Sequence, residues 1–220
     1  MKVTYYLEVT SSWCFWCEPM WAELKRRYEG RAGFEWKIAR MQDSDWPVSR
    51  AQCEWFYRRS GTVMRSPFML NSAWYEAPKP GTYPAASSVA EAARDFGFNG
   101  DDIRLALSHA AEREGQKVGR MEVAVAVAAK AGGKKLDPKK LRAAAESSLV
   151  ADRIAASTKE FFDHQINQRP AFVLTDDIGD KAVFSGVVRI EPLAAAIEAM
   201  LADSAAYASF KAHFGGPPAN

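Results

Sequence analysis

The stretch Leu7-Glu8-Val9-Thr10-Ser11-Ser12-Trp13-Cys14-Phe15-Trp16-Cys17 decides how this chain is read. Residues 3–10 are rich in β-branched and aromatic side chains, which suits a strand. Ser11, Ser12 and Trp13 predict a short turn. From Cys14 the apolar residues take helical spacing, with Met20, Trp21, Leu24 and Tyr28 on one face, and Gly30 and Gly33 mark the stop. Residues 34–39 then alternate apolar and polar side chains, the pattern of a second strand. A strand–helix–strand unit of this kind closes naturally as a right-handed parallel crossover. Both cysteines therefore lie where a strand ends and a helix begins.

Outward from that unit the chain divides by texture. Residues 49–59 predict a short helix bearing Cys53, Trp55 and Phe56. Pro67, Pro78, Pro80 and Pro84, set among Phe68, Trp74, Tyr75 and Tyr83, predict an ordered but irregular loop. Residues 85–166 are alanine-rich, show no strand alternation and are punctuated by Gly97, Gly100, Gly115, Gly132, Gly133 and Asp137-Pro138, which predicts four or five helices. The Ala-Val run at 123–129 reads as a packed core helix. Strand character returns at 171–175, and a turn at 176–180 leads to 182–185, a β-hairpin. Pro192 suits a first helical position and opens a last helix through Leu193, Ile197, Met200 and Leu201. The organisation expected is an α/β core from residues 1–80 and 165–206, an inserted helical unit at 85–164, and a frayed tail at 207–220 containing Gly215, Gly216, Pro217 and Pro218.

Bulk properties narrow the function. The 220 residues are 48% hydrophobic and 25% charged, enough apolar mass for a packed core. A net charge of +2, from 29 basic and 27 acidic side chains, gives no reason to expect a nucleic acid or a membrane surface as partner. Lys134, Lys135, Lys139 and Lys140 cluster without interleaved aromatics and read as a solvated face. Residues 1–9 carry charge and are too short for a signal-peptide core, and no stretch reaches the roughly 18 apolar residues of a membrane helix. A cytoplasmic protein is expected, and three cysteines in a reducing compartment are no disulfide framework.

The Cys14/Cys17 pair then asks for a metal or a redox explanation. A structural zinc site needs four ligands, and Cys53, His109, His164 and His213 offer no second pair at ligand spacing, so no metal is expected. Redox chemistry explains more. Free N–H groups and the dipole at a helix N-terminus favour a thiolate at Cys14, the form that attacks disulfides. Cys17, about one turn on, is placed to resolve the mixed disulfide.

On these residues the chain resembles the DsbA-like branch of the thioredoxin superfamily, in particular its FrnE-like members and their relatives, the kappa glutathione transferases and 2-hydroxychromene-2-carboxylate isomerases. The resemblance covers nearly the whole chain. It implies a thioredoxin-like fold split by a long helical insertion, and a thiol–disulfide oxidoreductase acting on a protein or small-molecule thiol or disulfide. It also implies that Pro170, in Arg169-Pro170-Ala171-Phe172-Val173, is a cis-proline lying against the cysteines. No cofactor is required by this reading; glutathione is a possible co-substrate and a homodimer a possible assembly. A glutathione-dependent isomerase or transferase is the alternative, although those relatives carry serine at the position of Cys14. A non-enzymatic binding scaffold or chaperone is a third reading.

Two features depart from the family pattern. Phe15-Trp16 between the cysteines is bulky, and Arg169 stands where a small or β-branched residue is usual. Arg169 is expected either to lend positive charge to Cys14 and attract an acidic partner, or to point to solvent. Trp13, Phe15, Trp16 and Arg169 are the candidate substrate-binding residues. Trp46, Trp74 and Tyr75 are further candidates to line the same groove, Trp21 is as readily a core residue, and Cys53 is expected as a half-buried core thiol.

Overall fold

The computed structural model describes residues 1–75, 83–186 and 189–217. Four segments pair as strands, β1 (Lys2–Leu7), β2 (Gly33–Ile38), β3 (Ala171–Thr175) and β4 (Lys181–Ser185), in the sheet order β2-β1-β3-β4. β1 and β2 are parallel, in register from Lys2 against Gly33 to Leu7 against Ile38, as the crossover through helix α1 (Ser12–Arg27) requires. β3 runs antiparallel to both β1 and β4. The sequence-distant hairpin thus completes a sheet whose first half was made at the N-terminus.

Strand alternation sends Tyr5, Leu7, Phe172 and Leu174 into the main core, with Trp21 and Leu24 of α1. Tyr6, Ala171 and Val173 face the other way, onto Phe161 and Ile166. Between the two halves of the sheet come α2 (Arg50–Val63), α3 (Ala85–Ala92), α4 (Asp102–Glu112), α5 (Met121–Gly132), α6 (Pro138–Ala145) and α7 (Ser148–Asp163). Phe161 belongs to α7, so that helix covers the second face of the sheet. Ala124, Val125 and Ala128 of α5 are buried, and the four clustered lysines are exposed.

Several boundaries differ from those expected. β1 ends at Leu7 rather than residue 10, because the Leu7 carbonyl takes the last ladder bond from the Ala39 N–H and the Ser11 N–H then closes a turn on the Glu8 carbonyl. α1 begins at Ser12, not Cys14: the Ser11 hydroxyl caps it by accepting from the Cys14 N–H at 3.4 Å. α2 extends past residue 59 to Val63, capped by Ser49. Helix α8 (Ile190–Phe214) places Pro192 third rather than first, still within the first turn where its missing N–H costs nothing. α8 also runs through residues 207–214, where a tail was expected, because the alanine-rich segment has high helix propensity and Gly215, at φ 78°, supplies the stop. Pro78, Pro80 and Pro218 lie outside the described residues.

Phe172 is the central packing residue of β3. It is fully buried, stacked on Tyr5 at 4.9 Å and tilted against Trp21 at 6.1 Å. Phe172→Ala should cost ~3–5 kcal/mol of unfolding free energy in a denaturant titration, by the usual cost of emptying an aromatic core site. A loss under ~1 kcal/mol would contradict this packing.

Candidate active site

Residues 8–17 carry the chain from the end of β1 into α1, and Cys14 is the third residue of that helix. Cys14 and Cys17 are both free thiols, and both are buried. The Arg169-Pro170 peptide bond is cis. Extending the β1/β3 register one step past Tyr6 against Ala171 sets Pro170 across from Leu7, at the end of β1 from which the chain turns into α1.

The electrostatics reverse what the helix N-terminus alone implies. Burial pushes the Cys14 thiol up to about 11, against the opposing influence of the Ser11 hydroxyl and the Glu8 backbone. Burial pushes Cys17 well up too, with Cys14 and Glu18 adding to it. Removal from water outweighs the dipole because Cys14 is only 2% exposed and carboxylates, not cations, are the charges closest in sequence. At a pKa of about 11 the thiolate fraction at pH 7 is about one in ten thousand.

Behind the cysteines lies a buried polar network that no sequence motif marks. The Tyr5 hydroxyl donates to the Cys14 carbonyl at 3.4 Å and to Glu18 Oε1 at 3.3 Å. Arg104 of α4 reaches Glu18 at 2.5 Å and Asp101 at 2.6 Å. Burial works against the charge on Arg104, and pairing with Glu18 more than offsets it. Glu8 is fully buried, accepting from the Ser87 hydroxyl and from the Met41 N–H, and burial raises its carboxyl above the usual range. Signals for two of these were present in the chain: Glu8 is a lone carboxylate in an apolar run, and Arg104 is a charge on the face carrying Leu107 and Ala111.

Arg169 does not point to solvent. Its guanidinium donates to the Ala39 and Arg40 carbonyls, lies 3.5 Å from Asp45 and stacks over Phe161 at 4.6 Å. It is a buried clasp between the segment after β2 and the cis bond rather than a solvated side chain, and Cys14 is among the charges that act on it.

In front of the turn is a cavity of about 210 Å³. One wall is Ser11, Ser12 and Trp13, the next Trp46 and Trp74, and the far wall is α2 with Cys53, Phe56 and Arg59. Asn167, Gln168 and Arg169 complete it ahead of Pro170. Trp13 and Arg169 thus line the cavity, whereas Phe15 and Trp16 do not. Trp16 instead ties α1 to α2, its indole N–H donating to the Ser60 hydroxyl at 3.1 Å, and Phe15 packs edge-on against it. Tyr75 turns away to donate to the Pro47 carbonyl. Trp21 is core. Cys53 is buried beside Tyr57, and burial pushes its thiol up to about 12. Among the described residues no three of His, Cys, Asp and Glu come together as a metal-holding group, and no helix is long and apolar enough to cross a membrane.

No protein-family model and no curated protein matches the chain. Its fold, by contrast, is widely shared. A putative protein disulfide isomerase from Nitrosomonas europaea superposes with a TM-score of 0.74 at 18% identity, covering 92% of this chain and 98% of its own. The cytosolic disulfide reductase DsbM from Pseudomonas aeruginosa gives 0.70 at 17% identity, over 92% and 99% of the two chains. A 2-hydroxychromene-2-carboxylate isomerase gives 0.60 at 15% identity, over 94% and 99%. The chain has the DsbA-like thioredoxin fold, with helices α2–α7 placed between the two halves of its sheet.

The raised thiol fixes a pH dependence. The Cys14 pKa is higher folded than the ~8.5 of an unfolded thiol, so its contribution to stability is present below that value and is lost as pH rises toward about 11. Reactivity moves the other way. Alkylation of Cys14 in the reduced protein, read by peptide mass, should accelerate continuously from pH 7 to beyond pH 10. A plateau below pH 8 would mean that a stabilised thiolate is present.

Proposed function

We propose that this protein is a thiol–disulfide oxidoreductase working as a reductant, with Cys14 as the attacking thiol and Cys17 as the resolving one. What carries the reading is the placement of two free cysteines in the first two turns of α1, at the end of the central strand and level with the cis bond before Pro170. The cycle balances on these two sulfurs. Cys14 loses its proton and attacks a substrate disulfide; the Cys14–substrate disulfide forms and one substrate thiolate leaves, taking a proton from solvent. Cys17 then loses its proton and attacks the Cys14 sulfur. The internal disulfide forms, the second substrate thiolate leaves, and two electrons have passed from protein to substrate. A second thiol reductant restores the dithiol.

What supports this direction is the burial of both sulfurs. DsbA oxidises strongly because its reduced form is stabilised. Here burial disfavours both thiolates, so that stabilisation is missing and the dithiol gives up electrons readily. Such a couple suits the reducing cytoplasm. The DsbM neighbour, a cytosolic disulfide reductase, also has a structure with GSH, which supports a small thiol such as glutathione as exchange partner. Pro170 borders the docking site for the substrate sulfur, and Trp13 gives it an apolar side.

The test is a trapping experiment. Cys17→Ser mixed with hydroxyethyl disulfide should accumulate one mixed disulfide, on Cys14, whereas the unaltered protein should pass through it to the Cys14–Cys17 disulfide. An adduct on Cys53 alone, or none under conditions that oxidise the unaltered protein, would contradict the assignment.

A further inference from the structure

The cavity in front of the cysteine turn is unevenly charged. Arg169 and Asp45 both line it and face one another, and the Arg169 guanidinium is further occupied by two backbone carbonyls. Arg59, on α2, is different. It is exposed, it lines the same cavity, and among the described residues it has no carboxylate partner. Its guanidinium lies 5.2 Å from the ring centres of both Trp55 and Phe56, and Phe56 is itself part of the wall. Two flanking rings restrict where that group can point, so part of the entropy of fixing a long side chain is already lost before a ligand arrives. The neighbouring surface is aromatic, with Trp13 and Trp46, and polar, with Asn167 and Gln168. This is an apolar recess with amide groups along one side and, at its rim, a guanidinium without a carboxylate partner among the described residues.

We infer that Arg59 is a specificity-determining residue that selects disulfides carrying a carboxylate, by pairing its guanidinium with that carboxylate while the rest of the molecule lies in the recess against Trp13. The inference rests on the oxidoreductase reading and deepens it: the substrate class is a small anionic disulfide, of which glutathione disulfide is the probe. A guanidinium presents a planar donor fork that matches a carboxylate in two parallel bonds, and pairing at a partly sheltered rim discriminates charge more than it adds raw affinity. The electrons still come from Cys14 and Cys17, and Arg59 takes no part in bond exchange. An acidic side chain at position 59 would repel the same substrate and attract a cationic one.

The experiment uses the reduced full chain in single turnover, which needs no recycling reductant, with formation of the Cys14–Cys17 disulfide read by tryptophan fluorescence and by mass. Three disulfides are compared at low salt: glutathione disulfide (anionic), hydroxyethyl disulfide (neutral) and cystamine (cationic). Arg59→Ala should lower the rate constant for glutathione disulfide about threefold more than that for hydroxyethyl disulfide, the scale of an exposed charge pair. Arg59→Glu should invert the order, so that cystamine overtakes glutathione disulfide, and added salt should narrow both differences. Equal changes for all three disulfides, or no change for glutathione disulfide, would overturn the role of Arg59 while leaving the dithiol mechanism in place. If the unaltered protein forms its internal disulfide with none of the three, the oxidoreductase reading itself fails, and the inference with it.

Discussion

Burial of the two sulfurs in the first two turns of α1 is what shapes this site. Cys14 and Cys17 are closed in by the central strand β1 behind them, by α4 through Arg104, and by the segments that carry Ser87 and Met41 to Glu8. A helix N-terminus ordinarily lowers a thiol pKa, and here it does not, because a dipole effect of ~0.3–1 kcal/mol is small beside the cost of burying an unpaired anion. The site therefore holds its sulfurs as neutral thiols. Ionisation of Cys14 is therefore confined to alkaline pH.

Polar groups buried behind the cysteines are satisfied largely from inside, by a buried network. The Tyr5 hydroxyl bridges the Cys14 carbonyl and Glu18, while Arg104 joins Glu18 to Asp101. Asp101 is also the acceptor for the Trp21 indole N–H at 3.4 Å and for Lys25, so the helix bearing the cysteines is fastened to α4 at several points. Arg169 performs the matching task on the hairpin side, fixing the cis bond to the chain after β2. With the sulfurs and their supports committed in this way, what stays open beside the turn is the cavity lined by α2 and the loop tryptophans.

Much of the fold was legible because it rests on local periodicity. The alternation at 34–39 and 171–175, the helical spacing from Met20 to Tyr28, and the capping and glycine signals of the middle segment each report a nearby physical cause. The cysteine spacing pointed to the site for the same reason. Sequence did not reveal what tertiary burial alone decides. A dipole argument for Cys14 could be made from ten residues, but its desolvation depends on helices some ninety positions away. Arg169 was weighed between thiol and solvent, and the Ala39 and Arg40 carbonyls that capture it become neighbours only once the hairpin pairs with β1. Phe15 and Trp16 were expected to meet substrate because they adjoin the thiols, yet the Ser60 hydroxyl at 3.1 Å draws Trp16 onto α2. The end of α8 was misplaced for a simpler reason: tail-like glycines and prolines at 215–218 overshadowed the helix propensity of the alanines before them.

The redox poise of the buried pair separates a reductant from an oxidant. A reduction potential for Cys14/Cys17, from equilibration in glutathione or dithiothreitol buffers with alkylation and mass readout, tests the reducing role most directly. Neutral, desolvated thiols predict a reducing couple, near the roughly −270 mV of thioredoxin. A midpoint above about −180 mV, toward the roughly −120 mV of DsbA, would show that the reduced form is stabilised as a thiolate after all and would contradict a reducing role.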